Sequence, residues 1–172
     1  MSAGKEITDF VIPGGASSER EGGHCRKYAR VLVRIGGALS TILVVDDDPG
    51  TRSLLRLILE TAGHVVLDAP HGKAALEIIQ PDALPDVVVT DLMMPVLSGA
   101  ELIEWLHSEQ RTAAIPIVLV SASSDAAQTL QASGLVQAVV RKPFDVYALV
   151  ECIESVATRR DEERSDPGQL AV

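Results

Sequence analysis

Five short aliphatic runs punctuate the middle of the chain, at 42–45, 65–67, 87–89, 117–120 and 136–140. Each is rich in Val and Ile and too brief for a helix, the pattern of a strand buried on both faces. Between them the apolar positions change period. Leu54, Leu55, Ile58, Leu59 and Ala62, then Leu102, Ile103 and Leu106, and last Val146, Leu149, Val150, Ile153 and Ala157 each fall on one stripe of a helix. Segments 71–80 and 124–133 are Ala- and Gln-rich with weaker periodicity, but their lengths suit helices between strands. Five strands alternating with five helices predict an α/β fold, a doubly wound five-stranded parallel sheet, because each crossover is long enough for a right-handed βαβ unit.

The flanks read differently. Residues 1–40 hold seven of the thirteen glycines and no sustained period, and are expected to be a flexible N-terminal extension. Arg26, Lys27, Arg30 and Arg34 alternate there with Val31, Leu32 and Ile35 in a basic amphipathic pattern that Gly36 and Gly37 interrupt. Residues 159–172 form a charged tail in which the last helix is expected to fray. Charge follows the same division: six basic and four acidic groups in 1–40, against six and sixteen in 41–158.

A chain of net charge −9 with 3% aromatic residues is poorly suited to nonspecific nucleic-acid binding or base stacking. No apolar run approaches the length of about 18 residues that spans a bilayer, and the start lacks the apolar stretch of a secretory signal. Cys25 and Cys152 make no disulfide framework or CxxC site, which suits a reducing cytoplasm. His24, His64, His71 and His107 show no metal-ligand spacing and read as turn or surface residues, and Trp105 reads as partly buried packing.

In an open parallel sheet, ligands bind beyond the carboxyl ends of the strands. The residues closing the runs are Asp46, Asp47 and Asp48, then Asp91, Ser121, and Arg141 and Lys142 before Pro143. Asp48 before Pro49 reads as a helix N-cap with proline at the first helical position. Asp46 and Asp47 do not: neighbouring carboxylates repel unless a cation joins them, and with Asp91 they imply a hard divalent metal, Mg²⁺. Mg²⁺ and Lys142 would balance the three acids and leave a near-neutral site for a phosphoryl group. Asp91 is the candidate nucleophile, giving an acyl phosphate whose oxygens the metal, Lys142 and the Ser121 hydroxyl stabilise.

Taken together, ILVVDDDPGTRSLLRLIL, VVVTDLMMPVLSG, IPIVLVSAS and VVRKPF resemble the four signature segments of the response-regulator receiver domain of two-component signalling. The resemblance covers 41–158 and implies a flavodoxin-like, CheY-like sheet of order 2-1-3-4-5. It implies that Asp91 is the phosphoacceptor, Asp46 and Asp47 the acidic metal pair, Ser121 the hydroxyl and Lys142 the lysine. It also implies the Met93 backbone carbonyl as a metal ligand, a cis Lys142–Pro143 bond, and Gly99 as the residue permitting a tight loop into the third helix. The implied partners are a sensor histidine kinase or histidine phosphotransfer protein and a downstream protein target, with no enzymatic turnover. Because the chain stops soon after the last helix, output is expected to run through that target.

Two departures alter the expectations. Val139 stands three before Lys142, where many receivers carry Tyr or Phe. A switch would then act through backbone shift or a phosphorylation-dependent dimer on the fourth-helix, fifth-strand and fifth-helix face. Met93 and Ser123 sit at positions that tune hydrolysis in the family, and an apolar Met93 predicts a persistent phosphoform. The rival readings are a Mg²⁺-dependent phosphohydrolase with an aspartate nucleophile at Asp46, since Asp46 and Asp48 spell D-x-D, a flavin-binding module, and a phosphorylation-independent scaffold.

Overall fold

The computed structural model describes residues 39–80, 83–122 and 124–165, with only the backbone of 124 and 161–165. The N-terminal pattern of 1–38, Ser123 and the tail beyond 165 lie outside the described residues. The elements run in the expected alternation: β1 Thr41–Val45, α1 Pro49–Thr61, β2 Val65–Ala69, α2 Gly72–Ile78, β3 Val87–Asp91, α3 Gly99–Ser108, β4 Ile117–Ser121, α4 Ser124–Ala132, β5 Ala138–Arg141 and α5 Val146–Ser165. All strand pairs are parallel and the order is β2-β1-β3-β4-β5, as the resemblance implies.

Alternation along the strands divides the core in two. Ile42 and Val44, Val87 and Val89, and Val118 and Val120 pack with Leu55 and Leu59 of α1 and Leu149 and Ile153 of α5. Leu43 and Val45, Val88, and Ile117 and Leu119 face Ala75 of α2, Leu102, Ile103 and Leu106 of α3, and Ala127 of α4. The central strands β3 and β4 are buried at every position. That is why they read as unbroken apolar runs, and each fully buried side chain of this size is worth about 1.5–3 kcal/mol.

Local chemistry sets the helix starts. Asp48 caps α1, accepting from the Gly50 and Thr51 amides, with Pro49 opening the helix. Ser98 and Glu101 form a reciprocal capping box on α3. His71 caps α2 through Nδ1, which accepts from the Ala74 amide. His107 contacts the Leu135 carbonyl at 2.7 Å. The turn residue His64 is not on the surface: its side chain is 8% exposed and 3.7 Å from Glu154.

Three expectations are corrected. Leu54 of α1 is exposed, so the buried stripe of that helix narrows to Leu55 and Leu59, with Ile58 and Ala62 half-buried beside them. The fifth strand begins at Ala138; Val136 is buried ahead of it while the Gln137 side chain accepts from the Ile117 amide. The last helix does not fray at Arg159: it continues to Ser165, and Arg160 donates to the Pro85 and Asp86 carbonyls at 2.9 and 2.6 Å. Among the described residues no helix is long and apolar enough to cross a membrane.

Candidate functional site

Strand order brings the chemistry together. β1 lies between β2 and β3, and the chain reverses direction of travel across the sheet at the β1/β3 junction, so their carboxyl ends border a crevice that no connection crosses. Asp46 leaves β1 on one side of that crevice and Asp91 ends β3 on the other. One oxygen from each of Asp46, Asp47 and Asp91 lies within 4.8 Å of the others. Asp46 is 3% exposed and Asp91 9%, whereas Asp47 faces solvent.

Lys142 reaches the same point from the far side of the sheet. Ser121 pairs with Arg141 in the β4–β5 ladder, and the Lys142 amide donates to the Ser121 carbonyl at 3.0 Å. The Lys142–Pro143 peptide is cis. Lys142 Nζ donates to Asp46 Oδ2 at 2.7 Å and to Asp91 Oδ2 at 2.5 Å. Burial pulls the ammonium down, but the hydrogen bonds and charges of the two aspartates outweigh it and hold Lys142 above the ordinary lysine value. Ser121, 1% exposed, ends β4 one residue beyond Val120, which pairs with Asp91. Register and the Lys142 contacts thus bring Asp46, Asp47, Asp91 and Lys142 together, and Ser121 ends the neighbouring strand on the same edge of the sheet.

The backbone around the acids is equally constrained. Asp46 receives the Asp48 amide on Oδ1 at 2.8 Å, and its own amide donates to the Ala69 carbonyl of β2. The Met93 amide donates to Asp91 Oδ1 at 3.2 Å, while the Met93 side chain is 72% exposed. Gly99 is needed for steric reasons: a Cβ there would lie 1.9 Å from the Asp91 carbonyl oxygen and 2.9 Å from Leu92 Cα. The intervening loop turns at Val96, whose φ of 69° is unfavourable for a β-branched residue.

Three carboxylates and one ammonium leave two negative charges on a partly buried rim. Hard oxygen donors with that charge fit a divalent cation of the Mg²⁺ class. Asp48 takes no part in this group: both its oxygens serve the α1 N-terminus, and Thr51 Oγ1 donates to Oδ2 at 2.6 Å. The hydrogen bonds that cap the helix hold its carboxyl below the usual aspartate value. A D-x-D pair directed at one metal is therefore not what 46–48 builds. Sequence reasoning missed Arg52, whose Nη1 donates to the Asp46 carbonyl at 2.6 Å, and Asp68, which lies 3.6 Å from Arg52 Nε. On a helical wheel Arg52 reads as one more polar residue of α1.

The chain matches the response regulator receiver domain family over residues 42–154. It is 32% identical over 123 residues to chemotaxis protein CheY1 of Helicobacter pylori, covering 70% of this chain and 98% of that one. It is 32% identical over 120 residues to the phosphate regulon transcriptional regulatory protein PhoB of Pseudomonas aeruginosa, covering 69% of this chain and 52% of PhoB, so it spans about half of that relative. Among solved structures, a response regulator described as putative from Chloroflexus aurantiacus superimposes with a TM-score of 0.64 at 29% identity, covering 70% of this chain and 99% of that one. Sheet order, acidic rim and family match agree, and the chain belongs to the response-regulator receiver domain family of two-component signalling.

Proposed function

We propose that this protein accepts a phosphoryl group on Asp91 and uses the change to alter a protein-binding surface. The observation that carries the reading is the convergence of Lys142 on Asp46 and Asp91 beside Asp47. An Asp91 oxygen attacks phosphorus as the bond from phosphorus to the donor breaks, and the electron pair of that bond leaves with the donor. The donor is the phosphohistidine of a sensor kinase or phosphotransfer protein, and the product is an acyl phosphate. Asp46, Asp47, Asp91 and the Met93 carbonyl would hold Mg²⁺, which would supply charge neutralisation for the transferring oxygens.

The remaining work belongs to the chain itself. Lys142 holds Asp91 in the apo site and offers its ammonium to the new phosphoryl oxygens. The Ser121 hydroxyl follows the phosphoryl group, a role supported by its position one residue past Val120, the register partner of Asp91. A phosphorylated Asp91 no longer presents the carboxylate that Lys142 holds, so a local charge change is transmitted to β4 and β5. The exposed Met93 thioether cannot orient an attacking water, which favours a persistent phosphoform. On this reading the protein is a cytoplasmic, stoichiometric acceptor rather than a turnover enzyme, with residues 41–158 as the acceptor unit.

The test is intact mass after incubation with acetyl phosphate, with and without Mg²⁺, on the wild type and Asp91→Asn. One phosphoryl adduct that requires Mg²⁺ and is absent from the variant is expected. An adduct that persists in Asp91→Asn would remove Asp91 from its assigned part.

A further inference from the structure

We propose that Arg52, oriented by Asp68, is a positioning residue that sets the geometry of the acidic pair and thereby its affinity for a divalent cation. The inference deepens the reading of this site as a Mg²⁺-dependent phosphoacceptor and rests on it. Arg52 sits on the first turns of α1 with its side chain 17% exposed. Its Nη1 donates to the Asp46 carbonyl at 2.6 Å, while its Nε is buried, has no hydrogen-bond partner, and lies 3.6 Å from Asp68 Oδ2. Asp68, on β2, directs its other oxygen to Arg56 Nη1 at 2.5 Å. Arg56 is in turn tied to the Val66 carbonyl and to Glu60.

A largely buried guanidinium with one unsatisfied N–H is costly, and its shortest contact is with the main chain of the metal site. That contact matters because the Asp46 carbonyl belongs to the planar peptide that joins Asp46 to Asp47. Pinning its oxygen fixes the plane from which both acidic side chains depart. The other three anchors act on Asp46 alone: the Ala69 carbonyl on its amide, and Lys142 and the Asp48 amide on its carboxylate. Arg52 is the contact that also constrains the exposed Asp47. The fork of an arginine is required, since one edge faces Asp68 while Nη1 faces the carbonyl, and a lysine ammonium cannot serve both directions.

Charge and position predict opposite outcomes. As a nearby cation, Arg52 repels a divalent ion, so charge alone predicts tighter Mg²⁺ binding on its removal. As a positioning residue it predicts weaker binding, by about tenfold for loss of a group that orients metal ligands. The experiment is calorimetric titration of Mg²⁺ into the full chain for wild type, Arg52→Met and Arg52→Lys, with circular dichroism melts to establish folding. Acetyl phosphate labelling across Mg²⁺ concentrations runs in parallel.

The expected result is a dissociation constant raised about tenfold in both variants. The half-saturating Mg²⁺ for labelling should shift by the same factor, with the labelling rate at saturating Mg²⁺ close to wild type. Unchanged or tighter binding in folded Arg52→Met overturns the proposal, as does wild-type affinity in Arg52→Lys, which decides alone if the methionine variant does not fold. Wild type that binds Mg²⁺ but never gains a phosphoryl group would instead sink the phosphoacceptor reading, and calorimetry alone would then judge the positioning role of Arg52.

Discussion

The rim at the carboxyl ends of β1 and β3 and the flank formed by α4 and β5 belong to one sheet but are built to different tightness. At the rim, Asp46 is held at its amide, carbonyl and both carboxylate oxygens, and Gly99 presses against the backbone of Asp91. On the flank, β5 has no fully buried position, its last residue is exposed, and Tyr147 at the start of α5 is 52% exposed. The position three before Lys142, which could have carried an aromatic ring, is the half-buried Val139. The contrast separates two demands. Phosphoryl chemistry needs atoms held to within a fraction of an ångström, whereas a surface that passes on a signal needs an element able to shift at low cost. In this chain Asp46, Asp47, Asp91 and Lys142 meet at the rim, while the half-buried Val139 stands on the looser flank.

The strongest way to break the comparison is to disturb the rim through its backbone. Gly99→Ala would force a Cβ into the Asp91 main chain; a loss of about 3 kcal/mol in urea unfolding is expected, along with loss of acetyl phosphate labelling. A variant of wild-type stability would show that the contact can relax and that the rim is less tightly built than described.

The second effect compares equal truncations in the two regions. Val89→Ala on β3, 1% exposed, should cost about 2–3 kcal/mol, and Val139→Ala on β5 about 1 kcal/mol. Hydrogen exchange should rank the amides the same way, with β1, β3 and β4 protected longer than β5. Equal costs would mean that the flank is as firmly packed as the centre.

Val96 provides a test of opposite sign. Val96 is 73% exposed and the Leu97 amide turns back to the Pro95 carbonyl around it. Val96→Asn should stabilise the fold by about 1 kcal/mol in thermal or urea melts, because asparagine tolerates positive φ better than a β-branched residue. Destabilisation would show that the valine side chain has contacts that outweigh its backbone strain.

The smallest effect lies in the alkaline limb of stability. Lys142 has a folded pKa above the ordinary 10.5, so its stabilising contribution is whole below that pH and declines as pH rises through the folded value. Solvent reaches this side chain and weakens the effect. In metal-free buffer, wild type should lose more stability than Lys142→Met as pH rises above the ordinary lysine value of 10.5. Parallel curves would place the Lys142 contribution outside this linkage.

Much of the molecule is legible from local pattern. Strands such as 87–89 and 117–120 declare themselves because a strand covered on both faces must be apolar throughout. Asp46, Asp91, Ser121 and Lys142 stand out because they close such strands, and Asp48 with Pro49 because a cap and a first-turn proline are neighbours in sequence. Each of these rests on interactions spanning a few residues or on the strict period of the strand.

The tertiary structure decided what depends on rotation, register and reach. Helical phase at α1 turned Leu54 outward although it adjoins the buried Leu55. Helix rotation also carried the Arg52 guanidinium to a carbonyl six residues back, and the β1–β2 register brought Asp68 beside it. Arg160 of α5 bonds carbonyls more than seventy positions away. Backbone carbonyls have no sequence signature, since every residue carries one. Which carbonyl meets which guanidinium is set only when the layers pack.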